Sequence, residues 1–174
     1  MARETSSSGQ KAATETPLTE RRLPDTLAFM RLLWKVDHGL RSMSKRMQSK
    51  IGITAPQRLA LRIVGKFPGL MPSELAELMY LDRGTLSGIV ERLVVQDLMT
   101  REPHADDGRS VTLQLSDRGH EFARLTAGTV EASVRRALGK LPRSKVEIAS
   151  EVLEAIAAEL EREERGDGSA SRSE

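Results

Sequence analysis

The stretch Pro72–Leu115, PSELAELMYLDRGTLSGIVERLVVQDLMTREPHADDGRSVTLQL, changes its periodicity partway along, and that change decides the fold. Pro72 suits the first turn of a helix, where its missing N–H costs nothing. Leu75, Ala76, Leu78 and Met79 give that helix an apolar side. Tyr80-Leu81 break it, and Asp82 is a good N-cap for the next helix. There Leu86, Ile89, Val90 and Leu93 stand at i, i+3, i+4 and i+7, the spacing of one buried stripe. After Val95 the period shortens. Leu98–Arg101 and Val111–Leu115 predict two strands, and the turn-forming residues Pro103, Asp106, Asp107 and Gly108 lie between them.

Flanking segments extend the pattern. Upstream, Leu27, Met30, Leu33, Val36, Leu40, Met43 and Met47 predict one long amphipathic helix over Leu23–Met47. Its end is cationic, with Arg41, Lys45, Arg46 and Lys50, which suits the helix dipole. Thr54-Ala-Pro-Gln57 has the form of a capping box, and opens a short helix filled by Leu59, Leu61, Ile63 and Val64. Gly65 and Phe67-Pro68-Gly69 end it. Downstream, Ser116 caps a second long helix, expected to run unbroken with Phe122, Leu125, Thr129, Val130, Val134 and Leu138 on one side. Leu141-Pro142 stop it, and a last helix carries Val146, Ala149, Val152, Leu153, Ile156 and Leu160. Three helices followed by a hairpin make a winged helix-turn-helix. The expected fold is mainly α with a small β-hairpin wing, the winged helix-turn-helix lobe lying between long N- and C-terminal dimerisation helices.

The expected organisation is an arm over 1–19 with little to bury, a dimerisation helix over 20–51 and the winged lobe over 52–116. C-terminal dimerisation helices span 117–162, and a polar tail spans 163–174. Composition narrows the class. The 174 residues are 39% hydrophobic, 30% charged and 3% aromatic, a balance that favours helices over a β-sandwich. There is no cysteine, so disulfides and thiolate metal sites are excluded. His38, His104 and His120 are too scattered to suggest a metal, and no cofactor is expected. No apolar run reaches the roughly 18 residues that cross a bilayer, and the N-terminus has no signal-peptide core, so a cytoplasmic address is expected. Neither a phosphate-binding glycine loop nor a catalytic His or paired-acid motif is present, which argues against an enzyme.

The second helix of the pair divides its residues informatively. Its stripe is aliphatic, whereas its other face offers Arg83, Gly84, Thr85, Ser87, Gly88 and Arg92. Small and hydroxyl-bearing residues let a helix approach base edges closely, and arginine can make paired bonds to guanine. At the hairpin tip Arg109 is suited to a narrow minor groove, and the carboxylate of Asp107 is placed to fix either Arg109 or Arg101 on the outgoing strand in one pose. The net charge of +2 says little, and acids offset the basic residues Arg58, Arg62, Lys66, Arg83, Arg92, Arg101 and Arg109 across the lobe. Affinity for DNA must therefore come from a focused face, helped by the cationic end of the first helix or by the arm. A winged-helix protein-interaction module without specific DNA binding is the alternative that the residues leave open.

The segments ITAPQRLALRIV (53–64) and PSELAELMYLDRGTLSGIVERLVVQDLMTR (72–101), with the hairpin exit DDGRSVTLQLSDRG (106–119), resemble the multiple antibiotic resistance regulator (MarR) family. The most specific marks are Asp107-x-Arg109 and Leu115-Ser-x-x-Gly119. The resemblance implies a homodimeric transcriptional regulator, a repressor by type, whose two winged lobes bind an inverted repeat in double-stranded DNA. By likeness, Arg109 enters the minor groove, Asp107 anchors it, and Arg83–Gly88 lie in the major groove. Gly88 departs from the pattern, since members often carry a larger polar or basic residue there. The resemblance also implies a small aromatic or phenolic effector. Trp34 and His38, one turn apart on the first helix, are the candidates to stack on it and hydrogen-bond it.

Overall fold

A computed structural model of the chain describes residues 23–103 and 110–170, with side chains through 166. Contacts divide it into a unit that ends at Gly39 and one that begins at Leu40. The first unit consists, among the described residues, of the opening turns of α1 (Asp25–Ile51). The Pro24 carbonyl accepts from the Ala28 amide at their start. Leu27, Phe29, Met30, Leu32, Trp34 and Val36 are all exposed on these turns.

The second unit holds the core. After α1 come α2 (Ala55–Lys66), α3 (Pro72–Leu78), α4 (Arg83–Val95), β1 (Met99–Pro103) and β2 (Val111–Leu115), then α5 (Asp117–Arg124), α6 (Val130–Leu138) and α7 (Arg143–Ala170). The strands pair antiparallel from Met99 opposite Leu115 to Pro103 opposite Val111. Leu70 adds a bridge to Leu113 on the far edge. Ile53, Leu61, Val64, Leu75, Leu86, Leu93, Leu98 and Leu113 are fully or almost fully buried in one cluster that joins α2, α3, α4 and the hairpin.

Local chemistry explains the boundaries. The Thr54 hydroxyl accepts from the Gln57 amide while the Gln57 side chain takes the Thr54 amide, closing the expected capping box. α3 and α4 end alike. Leu81 N–H bonds Ala76 C=O and Tyr80 N–H bonds Glu77 C=O; Leu98 and Asp97 repeat the pattern on Leu93 and Val94. This is the Schellman closure, which needs a left-handed residue. Tyr80 (φ 52°) and Asp97 (φ 55°) adopt that conformation without being glycine. Gly119 has a different reason to be glycine: a Cβ there would lie 1.9 Å from the Leu98 carbonyl oxygen. That close approach seats the first turn of α5 on the end of α4. Ser116 Oγ donating to Asp97 O and Arg118 donating to Gln96 O hold it there.

Four expectations need correction. The helix after Ser116 is not continuous: it stops at Arg124, and Thr129, fully buried, caps a separate α6 through the Ala132 amide. Gly128 (φ 73°) makes the turn between them. Leu59, expected in the core, is half exposed and faces a cavity described below. Arg58, counted with the basic residues of the lobe, is 1% exposed and bound internally. Finally, α7 continues beyond 162 to Ala170, its later turns braced by the pairs Arg162–Glu159 and Arg165–Glu161.

Candidate nucleic-acid interface

α4 presents the division of faces that its sequence implies. Leu86, Ile89, Val90 and Leu93 are buried, Arg83, Gly84, Thr85, Ser87 and Arg92 are exposed, and Gly88 is partly exposed. A Cβ on Gly88 would meet nothing within 4 Å, so the outer surface is open where a larger side chain could stand. The packing of the aliphatic stripe against α2 and α3 forces the polar residues outward; the period of 3.6 leaves them no other side.

The N-terminal end of α4 is fixed by Asp82. Its carboxylate accepts from the Thr85 amide at 2.9 Å and from the Thr85 hydroxyl at 2.6 Å. Those two bonds, the hydroxyl's first, hold the Asp82 carboxyl below the ordinary carboxylate range. The Thr85 proton is therefore engaged, and toward a ligand this hydroxyl is an acceptor. Arg101 on β1 reaches across to α4, its guanidinium 3.6 Å from the Glu91 carboxylate. Arg101 is more than a third exposed and Glu91 largely so, so the pair is worth little in stability, on the order of 0–1 kcal/mol, but it sets where Arg101 rests.

A groove between the start of α3, the outer side of α4 and the strands brings together Arg83, Ser87 and Arg101, three of the residues expected at DNA. Ser73, in the first turn of α3, lines it too and was not singled out from sequence; its place just after the helix-opening Pro72 was the available signal. Gly84 and Thr85 lie on the same exposed turn as Arg83, while Arg92 is exposed near the other end of the helix. Asp107 and Arg109 lie outside the described residues, beyond the last register pair Pro103–Val111.

The cationic end of α1 lies toward the C-terminal end of α4. Gln96, just past α4, donates to the Gly52 carbonyl at the end of α1. With 13 residues in α4, that end lies roughly 20 Å along the helix from Arg83.

Arg58 and a second cavity complete the picture. The Arg58 guanidinium pairs with both oxygens of Glu131, at 2.7 and 2.9 Å, and donates to the carbonyls of Phe122 and Leu125. It thus satisfies the end of α5 and ties α2 to the first turn of α6. Arg62 supports it, donating to Ala123 O at 2.9 Å. Nearby, an apolar cavity of about 490 Å³ opens between α1, α2 and α6, with Leu59, Met79, Leu81 and Val134 in its walls and Arg41 and Glu131 as its charged groups. Its lining on α1 begins at Leu40. Trp34 and His38 lie on the preceding turns of α1, both exposed.

Residues 53–111 match the model of the MarR family. The chain is 32% identical over 105 residues to the organic hydroperoxide resistance transcriptional regulator of Bacillus subtilis, covering 60% of this chain and 70% of that one. It is 28% identical over 119 residues to an HTH-type transcriptional repressor of Mycobacterium tuberculosis, covering 68% and 86%. Among solved structures, the fold is similar to that of FabT from Streptococcus pneumoniae, determined in complex with DNA, with a TM-score of 0.62 at 18% identity over 79% of this chain and 99% of that one.

Proposed function

The chain belongs to the MarR family of DNA-binding transcriptional regulators, and from that premise we propose that it is a repressor that holds an inverted repeat as a homodimer and releases it when a small aromatic acid binds. The observation that carries this reading is the division of α4, with four aliphatic residues buried beneath an outer face of exposed Arg83, Gly84, Thr85, Ser87 and Arg92 and partly exposed Gly88. The N-terminal half of such a helix enters a major groove, with Arg83 and Ser87 toward base edges and Arg101 at the groove's edge. Arg109 is assigned to the adjacent minor groove and Asp107 to its anchoring, as the resemblance implies.

Dimerisation is supported by apolar surface that one chain leaves in water. Leu27, Met30, Trp34 and Val36 on α1 and Ile148, Leu153 and Leu160 on α7 are all exposed. Burial against a second copy is the economical remedy, and two-fold symmetry suits an inverted repeat. The half-sites then lie about 34 Å apart, one helical turn of DNA.

The effector reading is supported by the apolar cavity with Arg41 in its wall; Trp34 and His38, exposed on the first unit, stay the sequence's candidates for stacking and hydrogen bonding. Coupling of about 1–3 kcal/mol would change DNA affinity about 5- to 150-fold.

Selection of bound sequences from a random duplex pool tests the core of the proposal. A recovered palindrome with half-sites one turn apart supports it. Material that shows no sequence preference at moderate salt refutes it and favours a protein-interaction module. Trp34 is the only tryptophan, so quenching of its emission by salicylate, together with salicylate-driven release of the selected duplex, tests the effector. Unchanged emission and unchanged DNA binding would remove it.

A further inference from the structure

We infer that Thr85 sets base specificity on the reading face: its hydroxyl is locked as a hydrogen-bond acceptor and selects a base with an exocyclic amine, adenine or cytosine, on the strand it faces. The inference rests on the reading of α4 as the helix that enters a major groove, and it names what one residue of that helix recognises. Thr85 stands in the first turn of α4 and is exposed. The N-terminal residues of such a helix are the ones that meet base edges.

Two bonds to one carboxylate fix the polarity. Asp82 Oδ1 accepts from the Thr85 amide at 2.9 Å, and Oδ2 accepts from the Thr85 hydroxyl at 2.6 Å. The second has the short length of a charge-assisted bond, about twice as strong as its neutral counterpart. Turning the proton toward a guanine or thymine carbonyl exchanges a carboxylate partner for a neutral one, so the proton stays with Asp82. The same two bonds hold the Asp82 carboxyl below its ordinary range, which keeps it ionised at neutral pH. Gly84 leaves this carboxylate its place, since a Cβ there would stand 3.1 Å from Asp82 Oδ1.

The base edges supply the other half of the argument. In the major groove adenine shows its N6 amine and cytosine its N4 amine, whereas guanine shows O6 and thymine O4. Against the lone pairs of Thr85 the amines make a hydrogen bond. The carbonyls set acceptor against acceptor, and two desolvated oxygens are left without a proton. Every base pair carries one such amine, so the signal is which strand holds it. Arg83, two residues earlier, is a donor only and has the opposite requirement, met by guanine O6 and N7. One turn of α4 thus asks for an acceptor and a donor at different positions of the half-site.

The test measures the affinity of the full chain for duplexes built on the sequence recovered by selection. Two analogues delete only the amine: purine in place of adenine, and pyrimidin-2-one in place of cytosine. Expected is one position in each half-site where adenine or cytosine binds at least about fivefold more tightly than guanine or thymine, and where deleting the amine loses about as much. Thr85→Val, of the same shape, binds the intact and the amine-deleted duplex equally, and Thr85→Ser restores the wild-type ratio. Asp82→Asn still caps the helix but gives the hydroxyl no charged partner, so guanine and thymine gain at that position. If amine deletion weakens Thr85→Val as much as wild type, or the position that responds to Thr85 prefers guanine or thymine, the assignment is overturned. Should Thr85→Val not bind DNA at all, Asp82→Asn decides, and an unchanged preference for the amine there overturns it. A sequence preference with no position that depends on Thr85 refutes this inference alone. No preference at all refutes the operator reading, and this inference with it.

Discussion

Replacing Arg58 by methionine tests whether the junction of α2, α5 and α6 is held by charge. Methionine matches the length of the arginine stem and leaves little void, so the change isolates the guanidinium. What is lost is a bidentate pair with Glu131 at 2.7 and 2.9 Å and the donors to the Phe122 and Leu125 carbonyls at the end of α5. Removing one partner of a buried ion pair costs about 3–5 kcal/mol. Glu131 is about one-third exposed and keeps Arg62 at 3.4 Å, so the lower end applies, about 3 kcal/mol. Glu131→Gln should cost a similar amount, because it strands the arginine in the core. The double variant should then fall short of additivity by about 2 kcal/mol, the signature of two groups that act through each other. Urea unfolding at fixed protomer concentration measures all four corners of the cycle. If Arg58→Met lies within 1 kcal/mol of wild type, or the two losses simply add, the clamp is not what holds the junction.

Three other substitutions probe other links. Gly119→Ala drives a methyl group into the Leu98 carbonyl at 1.9 Å and should destabilise by about 3 kcal/mol or more; a Tm unchanged within 2 °C would contradict it. Gly88→Gln enters open space and replaces a mid-helix glycine, so stability should rise by about 0.5–1 kcal/mol, while affinity for the selected duplex changes because the new side chain sits on the proposed reading face. Arg109→Ala should weaken specific DNA binding by about 1–3 kcal/mol without altering thermal unfolding, and unchanged affinity would remove the wing. For Asp82 the sign follows from its lowered carboxyl: the cap is fully present above the ordinary value near 3.9 and is lost as pH falls through the lower folded one. The Thr85 amide resonance should therefore move below about pH 4 in the wild type and stay still in Asp82→Asn.

Sequence alone determined whatever is local along the chain. Thr54–Gln57, Asp82 and Ser116 announce helix starts because a cap needs only a side chain and an amide three residues on. The stripe Leu86, Ile89, Val90, Leu93 fixes which side of α4 is buried, and the alternate side followed with it. The break at Gly128 left a signal in the glycine and the capping Thr129, but an apolar spacing that runs across it hid the interruption. Tertiary structure decided what depends on distant partners. Nothing near Arg58 in the chain marks it as buried, since the groups that neutralise it lie 64 to 73 residues away. Leu59 is apolar yet half exposed because α1 and α6 leave a cavity over it. Likewise, only the contact of Gln96 with Gly52 shows that the end of α1 stands beside the C-terminal end of α4 and not beside Arg83. Capping and periodicity act over one or two turns, whereas compensation of a buried charge and the siting of a cavity depend on which helices meet.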